Sequence, residues 1–443
     1  MTDRGRPGVA TAARVCAFTV LRRVFEEGAW ADRALHGEAR RLGLDARDRA
    51  LATTLAYGAV QRRATLDHVI EALAGRPVGK LEPAVLAALR LGIFQLVFLD
   101  GIPAHAAVGE SVELAKATSP GGAKLVNACL RRAAREARAA VEALPDGTPE
   151  QAALRHSHPE WIAALWFDAL GPDTARALMA ADNRPAEASL RANELRTTAA
   201  ELALRLEVSS RPAEGLPEGL VLDGPFDAFG SPLWEQGLFM PQSRAAMAVG
   251  RIVGPRPGER VLDLCAAPGG KTTHLAALGA HVVAVERHPG RADALRRTAE
   301  RMGGSVEVRT ADAAEPQEPE AYDRVLVDPP CSDLGTLASR PDARWRKHAR
   351  LPAELAELQG RILRAGASAL KPGGALVYST CTISPAEGEG VVDRFLEERG
   401  DFARDDLRDD WPVWQHHGQP MYLQTLPHRD ATDGFFVARL RRA

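Results

Sequence analysis

Cysteine is scarce in this chain, with five in 443 residues. An odd and sparse set argues against a disulfide framework and for a reducing compartment. No two cysteines are spaced as CxxC, which argues against a structural zinc site. Long apolar runs are also missing. None approaches the roughly 20 residues of a membrane span. Met1 to Pro7 is charged and lacks an apolar core, so a secretory signal is not expected there. Charge of one sign is missing too. The net charge of −2 announces no nucleic-acid partner by itself, although residues 1–150 carry +4 and the remainder −6. Lysine is rare, six of 56 basic residues, and the arginines that replace it suit phosphate binding and base stacking. What is present is ordinary for a soluble globular protein: 45% hydrophobic and 26% charged residues. The length exceeds one ordinary core, so two or three domains are expected.

Residues 10–140 read as helices. In 82–98, Pro83 sits in a first helical turn. Val85, Leu86, Leu89, Ile93, Phe94, Val97 and Phe98 then recur at helical spacing as an apolar stripe. Similar stripes occupy 10–25 and 48–73. A further helix, 124–140, carries Arg131, Arg132, Arg135 and Arg138 largely on one face. That face is either a solvated surface or a phosphate-contacting one. Residues 141–157 read as a linker, and 158–235 as a small α+β region with Pro/Gly punctuation. From 236 onward strands and helices alternate. Strands are expected at 261–264, 281–285, 306–309, 324–327, 375–379 and 435–440, which predicts a C-terminal α/β doubly wound, mostly parallel, Rossmann-like sheet. Ligands of such sheets bind at the carboxyl ends of the strands.

The informative motifs fall at those ends. Leu262-Asp263-Leu264-Cys265-Ala266-Ala267-Pro268-Gly269-Gly270-Lys271-Thr272 is neither a Walker loop nor GxGxxG. Its paired glycines permit close backbone approach, and the following helix offers free N–H groups to a carboxylate. A zwitterionic amino-acid tail, as in S-adenosyl-L-methionine, suits it; a plain tight turn reads equally well. Glu286 ends the next strand, where an acidic residue accepts hydrogen bonds from ribose hydroxyls. Asp312 follows the third strand and is placed to accept from an adenine amino group. Either is otherwise an ordinary surface carboxylate. Cys331, in Asp328-Pro329-Pro330-Cys331, and Cys381, in Ser379-Thr380-Cys381, follow neighbouring strands. A single cysteine is normally a small buried hydrophobe. Two at adjacent strand ends suggest covalent chemistry on an electron-poor ring. Cys265 is expected to offer backbone contacts only, and Cys16 and Cys129 to lie in the helical core.

Together, LDLCAAPGGKT, Glu286, Asp312, Asp328-Pro-Pro-Cys331 and Thr380-Cys381 resemble the RNA cytosine-C5 methyltransferases of the NOL1/NOP2/Sun family, in the bacterial Sun/Fmu/RsmB branch that acts on 16S ribosomal RNA. LEPAVLAALRLGIFQLVFLDGIPAHAAVGESVELAK and KLVNACLRR resemble that branch's helical NusB-like domain, and LPHRDATDGFFVARLRR its terminal strand. The resemblance implies a multidomain chain: an all-α RNA-binding domain at 1–140, a small α+β RNA-binding region at 158–235 and a methyltransferase domain at 236–443. It implies Cys381 as nucleophile at C6 of cytosine, Cys331 in release of the methylated base, Asp328 holding the base, and Lys271 near the cofactor carboxylate or the base. Cofactor contacts would come from Cys265, Ala266, Ala267, Pro268, Gly269, Gly270, Lys271, Glu286, Asp312 and Asp328. The attacking thiol must ionise, which a sulfonium and loop dipoles would favour. The partner would be single-stranded or loop RNA, with the target base out of its stack. A cytoplasmic monomer without membrane association is expected. Transfer RNA as substrate, or a non-catalytic RNA-binding scaffold, are the alternatives. The chain departs from the family pattern at Asp333, where many members carry glycine, and in Pro385-Ala386-Glu387-Gly388-Glu389-Gly390. Asp-Pro-Pro also resembles amino-group methyltransferases, but a cysteine stands where those place an aromatic.

Overall fold

The computed structural model describes residues 10–443. The segment read above as lacking a signal peptide lies outside them. The chain divides into two compact units: residues up to Pro185 together with Leu337–Lys347, and Ala186–Thr336 together with His348–Ala443.

The first unit is helical. Seven helices span Ala12–Glu26, Ala31–Arg41, Ala46–Gln61, Arg63–Ala74, Pro83–Phe98, Ala104–Thr118 and Ala123–Glu142. Pro83–Phe98 is the central one. The spacing predicts one apolar stripe, but Ala84, Ala87, Ala88, Leu91 and Gly92 are buried as well, so it is covered nearly all round. Such cover requires close approach. A Cβ on Gly58 would lie 1.9 Å from the Phe94 ring. The stripe expected over 48–73 is two helices that meet at Arg62, whose guanidinium lies over the Phe98 ring. The arginine face of Ala123–Glu142 is exposed and partly paired, Arg132 with Glu136 at 3.0 Å and Arg138 with Asp100 at 3.3 Å.

Residues 141–157, read as a linker, contain the helix Pro149–His156. The Thr148 side chain accepts from Gln151 N while the Gln151 side chain reaches back, a capping box with Pro in the first turn. Helices Glu160–Leu170 and Pro172–Ala181 follow.

Leu337–Lys347 rejoins this unit from far along the chain, and no sequence signal announces it. Its anchor is Arg344, fully buried. The guanidinium donates to Ser157 O (3.1 Å), Asn183 Oδ1 (2.9 Å), Asp182 O (3.0 Å) and Leu337 O (3.3 Å). Trp345 Nε1 donates to Val60 O at 2.7 Å.

The second unit holds two sheets. The smaller is antiparallel, in the order β2-β3-β1-β4, from β1 (Ser189–Ala192), β2 (Ser210–Ala213), β3 (Leu216–Leu222) and β4 (Phe239–Pro241). The larger contains β5 (Arg260–Leu264), β6 (His281–Glu286), β7 (Ser305–Thr310), β8 (Tyr322–Val327), β9 (Leu370–Thr380), β10 (Phe402–Asp405), β11 (Leu423–Thr425) and β12 (Phe435–Arg442). Its order is β10-β12-β9-β8-β5-β6-β7, with β11 also on β12. The five strands from β9 to β7 run parallel, as the strand–helix alternation predicts; β12 joins antiparallel. Strands β10 and β11, three to four residues each, were not legible. Successive β5 residues face opposite sides. Val261 packs with helix Arg244–Val253, and Leu262 with helices Leu351–Ala369 and Glu389–Glu398. Among the described residues, no helix is long and apolar enough to cross a membrane.

Arg344 is the most exacting feature of the helical unit, because its loss strands three buried acceptors from other segments. Arg344→Ala should destabilise the protein by about 3 kcal/mol. A chemical denaturation midpoint indistinguishable from wild type would contradict that role.

Candidate active site

The site assembles at the carboxyl ends of β5, β8 and β9. β5 runs into Cys265, whose φ of 66° turns the chain sharply, and Ala266 N donates to Val285 O at 2.9 Å. Gly269 has φ of 106°, and a Cβ there would meet Leu295 Cδ1 at 2.8 Å, so glycine is required on two counts. The helix Gly270–Ala277 follows, its first N–H groups lacking intrahelical partners. A cavity of about 110 Å³ opens here, lined by Gln242, Asp263, Ala266, Gly270, Lys271 and Asp328 among others. Asp263 is fully buried and accepts from Thr272 Oγ1 at 2.6 Å. Burial pushes its carboxyl up to about 7. The sequence reading passed over this residue inside its motif.

Glu286 is buried at the end of β6, where it accepts from His288 N at 2.8 Å and faces Arg291 at 3.4 Å. Asp312 follows β7, is half-exposed, and accepts from Ala314 N at 2.9 Å. The residues fit a zwitterionic nucleoside. N–H donors stand at the helix start for a carboxylate, and a buried acceptor stands at Glu286 for hydroxyls.

β8 and β9 are parallel neighbours, Val327 opposite Tyr378, so the loops that follow them meet. Cys331 Sγ and Cys381 Sγ are 3.3 Å apart. Asp328 Oδ2 accepts from Lys271 Nζ at 2.8 Å, and its Oδ1 accepts from Ser379 Oγ at 2.9 Å. Lys271, Asp328, Cys331 and Cys381 are therefore one cluster. Burial works against the Lys271 charge, but the Asp328 carboxylate outweighs it and raises the ammonium above its usual range. The hydrogen bond with Cys331, then burial, then the negative charge of Asp333 and Asp328 push the Cys381 thiol well above the ordinary cysteine range. The surroundings in the protein thus favour Cys381 as thiol.

Glu387 organises these loops, and the sequence reading placed it only near a helix start. It is fully buried. Its carboxylate accepts from Ser332 N at 2.8 Å, from Ser332 Oγ, and from Gln359 Nε2 at 3.1 Å. Ser332 Oγ also meets Thr382 Oγ1 at 2.7 Å, and Gln359 Nε2 donates to Pro330 O at 2.9 Å. Tyr378 OH donates to Glu387 O at 2.6 Å. One carboxylate so holds the residues flanking both thiols. The acidic residue six positions after Cys381 was the available signal.

Asp333 has φ of 54°, a left-handed conformation that glycine adopts without cost, which accounts for glycine in many members at this position. Its Oδ1 lies 3.4 Å from Cys381 Sγ and 3.9 Å from Cys331 Sγ.

Fold and site together define a Rossmann-like methyltransferase domain preceded by a helical domain of NusB type. Comparison with known proteins agrees. Residues 251–441 match the family described as 16S rRNA methyltransferase RsmB/F, 11–135 the NusB family, and 158–228 the RsmF/B-like ferredoxin-like domain. The chain is 38% identical to the probable ribosomal RNA small subunit methyltransferase B of Synechocystis sp., covering 98% of this chain and 100% of the relative. It is 38% identical to ribosomal RNA small subunit methyltransferase B of Thermus thermophilus, covering 98% of each. A methyltransferase homologue from Pyrococcus horikoshii superposes with a TM-score of 0.58 at 26% identity, over 68% of this chain and 100% of that one. The chain belongs to the RsmB/F methyltransferase family and carries its NusB domain.

The raised thiol sets a reactivity order that can be measured. In RNA-free protein, Cys381 should alkylate with iodoacetamide more slowly at pH 7 than an unperturbed thiol of pKa about 8.5. Its rate should still be climbing well above that pH. Peptide mass spectrometry showing Cys381 as the fastest-reacting cysteine at pH 7 would contradict this.

Proposed function

We propose that the protein transfers a methyl group from S-adenosyl-L-methionine to C5 of a cytosine in RNA, with 16S ribosomal RNA in the cytoplasm as substrate. The observation that carries the reading is the thiol pair, 3.3 Å apart beside a lysine-braced aspartate at the strand ends. The relatives' names supply the ribosomal substrate.

C5 of cytosine is a poor nucleophile. The Cys381 thiol gives up its proton as N3 of the base takes one up beside Asp328, sulfur adds to C6, and the C5–C6 π electrons move to C5, which can then take an electrophilic methyl. When bound, the cofactor supplies that methyl and a positive charge near the thiol. Asp328 holds the N3 and amino edge of the base and favours protonation at N3, which draws electrons from the ring as sulfur adds. Lys271 keeps Asp328 oriented and would lie near the cofactor carboxylate or the base. Cys331, its own proton already lost to solvent, takes the proton left on C5, the C5–C6 double bond reforms, Cys381 departs as thiolate, and the N3 proton returns to solvent. Two thiols are needed because one is occupied as the covalent partner while the other moves a proton. The cavity beside Asp263 and the helix start would hold the cofactor's amino-acid end, and Glu286 and Asp312 would hold its ribose and adenine. The target base must leave any stack, and the helical domain and small sheet grip the flanking RNA.

Purified protein, tritiated cofactor and unmodified small-subunit RNA should yield 5-methylcytosine. A methylated amino group as product, or no product with any RNA tested, would overturn the reading; product on transfer RNA alone would move the substrate. Cys381→Ala should abolish turnover while the cofactor still binds, and Cys331→Ala should accumulate a protein–RNA adduct that survives denaturing electrophoresis. Adduct formation by Cys381→Ala would reverse the two roles. Glu387→Gln should lower kcat by about 100-fold through displacement of both loops. Its cofactor affinity should stay near wild type; wild-type kcat would remove Glu387 from the account.

A further inference from the structure

The catalytic reading leaves Asp333 unused. It occupies a backbone position where glycine is free of strain, and a non-glycine residue there costs about 1 kcal/mol. What the side chain adds is a third donor beside the thiols. The triangle has edges of 3.3 Å between the sulfurs, 3.4 Å from Asp333 Oδ1 to Cys381 Sγ, and 3.9 Å from that oxygen to Cys331 Sγ. A tetrahedral zinc ion, with Zn–S of about 2.3 Å and Zn–O of about 2.1 Å, sets its ligand atoms about 3.8 Å apart for two sulfurs and about 3.6 Å for sulfur and oxygen. The observed edges each lie within about 0.5 Å of those values, so small side-chain adjustments suffice. All three residues are partly exposed, which leaves a path for an ion and a fourth position for water.

We propose that Cys331, Cys381 and Asp333 form a binding site for a thiophilic divalent cation, zinc by preference, in the RNA-free protein. Binding displaces the two thiol protons to solvent and leaves both sulfurs as metal-bound thiolates. Two sulfurs and one carboxylate favour zinc over magnesium, whose ligands are oxygen and which resists losing its water. Sulfur held by the metal is withheld from C6 of a pyrimidine, so zinc and productive RNA exclude each other. That consequence rests on the thiol roles proposed above; the binding itself does not.

The test uses full-length, RNA-free, reduced protein titrated with zinc chloride against a chromophoric zinc indicator. One zinc per chain is expected, with magnesium chloride failing to displace it. Asp333→Gly, which suits the positive φ and so keeps the fold, should weaken zinc binding by about tenfold or more. Cobalt substitution should give a sulfur-to-metal charge-transfer band that Cys331→Ser and Cys381→Ser each diminish. No zinc uptake would overturn the proposal. So would uptake unchanged in the Cys331→Ser/Cys381→Ser double variant, or Asp333→Gly binding zinc as tightly as wild type. Metal binding is read without RNA or turnover, so its failure leaves methyl transfer standing, and failure of the methylation assay leaves this site standing.

Discussion

The catalytic geometry hangs on one buried carboxylate. Glu387 accepts from the Ser332 backbone and hydroxyl and from Gln359, and Gln359 in turn holds Pro330 O. A buried anion survives only when donors surround it. Here the donors come from the loop after β8 and from helix Leu351–Ala369, and Ser332 links on to Thr382 after β9. Satisfying the charge therefore also fixes the two cysteines beside each other. The parallel pairing of β8 with β9 brings the loops near, and the carboxylate sets the final ångström.

The electrostatics around that pair are divided. Lys271 and Asp328 pair at 2.8 Å. On the other side, the hydrogen bond with Cys331, burial and the nearby Asp333 raise the Cys381 thiol. In the proposed reaction the cofactor would bring a positive charge beside the thiol, and in the proposed zinc-bound state a metal would bring another with the opposite consequence for turnover.

Most of the catalytic domain was legible in the sequence because β-branched runs and turn residues mark each parallel strand. Val261, Val282, Val325 and Val377 all lie inside strands that the periodicity predicts. The motif cysteines were legible because short spacing to a strand end fixes their place. Four things were not. The short strands β10 and β11 carry too few residues for a period-two pattern. Leu337–Lys347 is mostly irregular chain with one short 3-10 turn at Ala343–Trp345, and its partners, Ser157, Asp182 and Asn183, lie more than 150 positions away in sequence, so only the fold brings them together. Glu387 was visible as a residue but not as a hub, because its role depends on Ser332 and Gln359 arriving from elsewhere. Asp333 was noticed as a departure from the family pattern, and its left-handed backbone and contact with both thiols needed coordinates.

The central claim is that sulfur of Cys381 bonds to the pyrimidine. Substrate RNA carrying 5-fluorocytosine at the modified position cannot lose its C5 substituent as a proton, so the covalent complex should persist after methyl transfer. Digestion and mass spectrometry should then find one methylated fluorocytosine nucleotide on the peptide containing Cys381. Attachment at Cys331 instead, or full methylation with no nucleotide on either cysteine, would contradict the account.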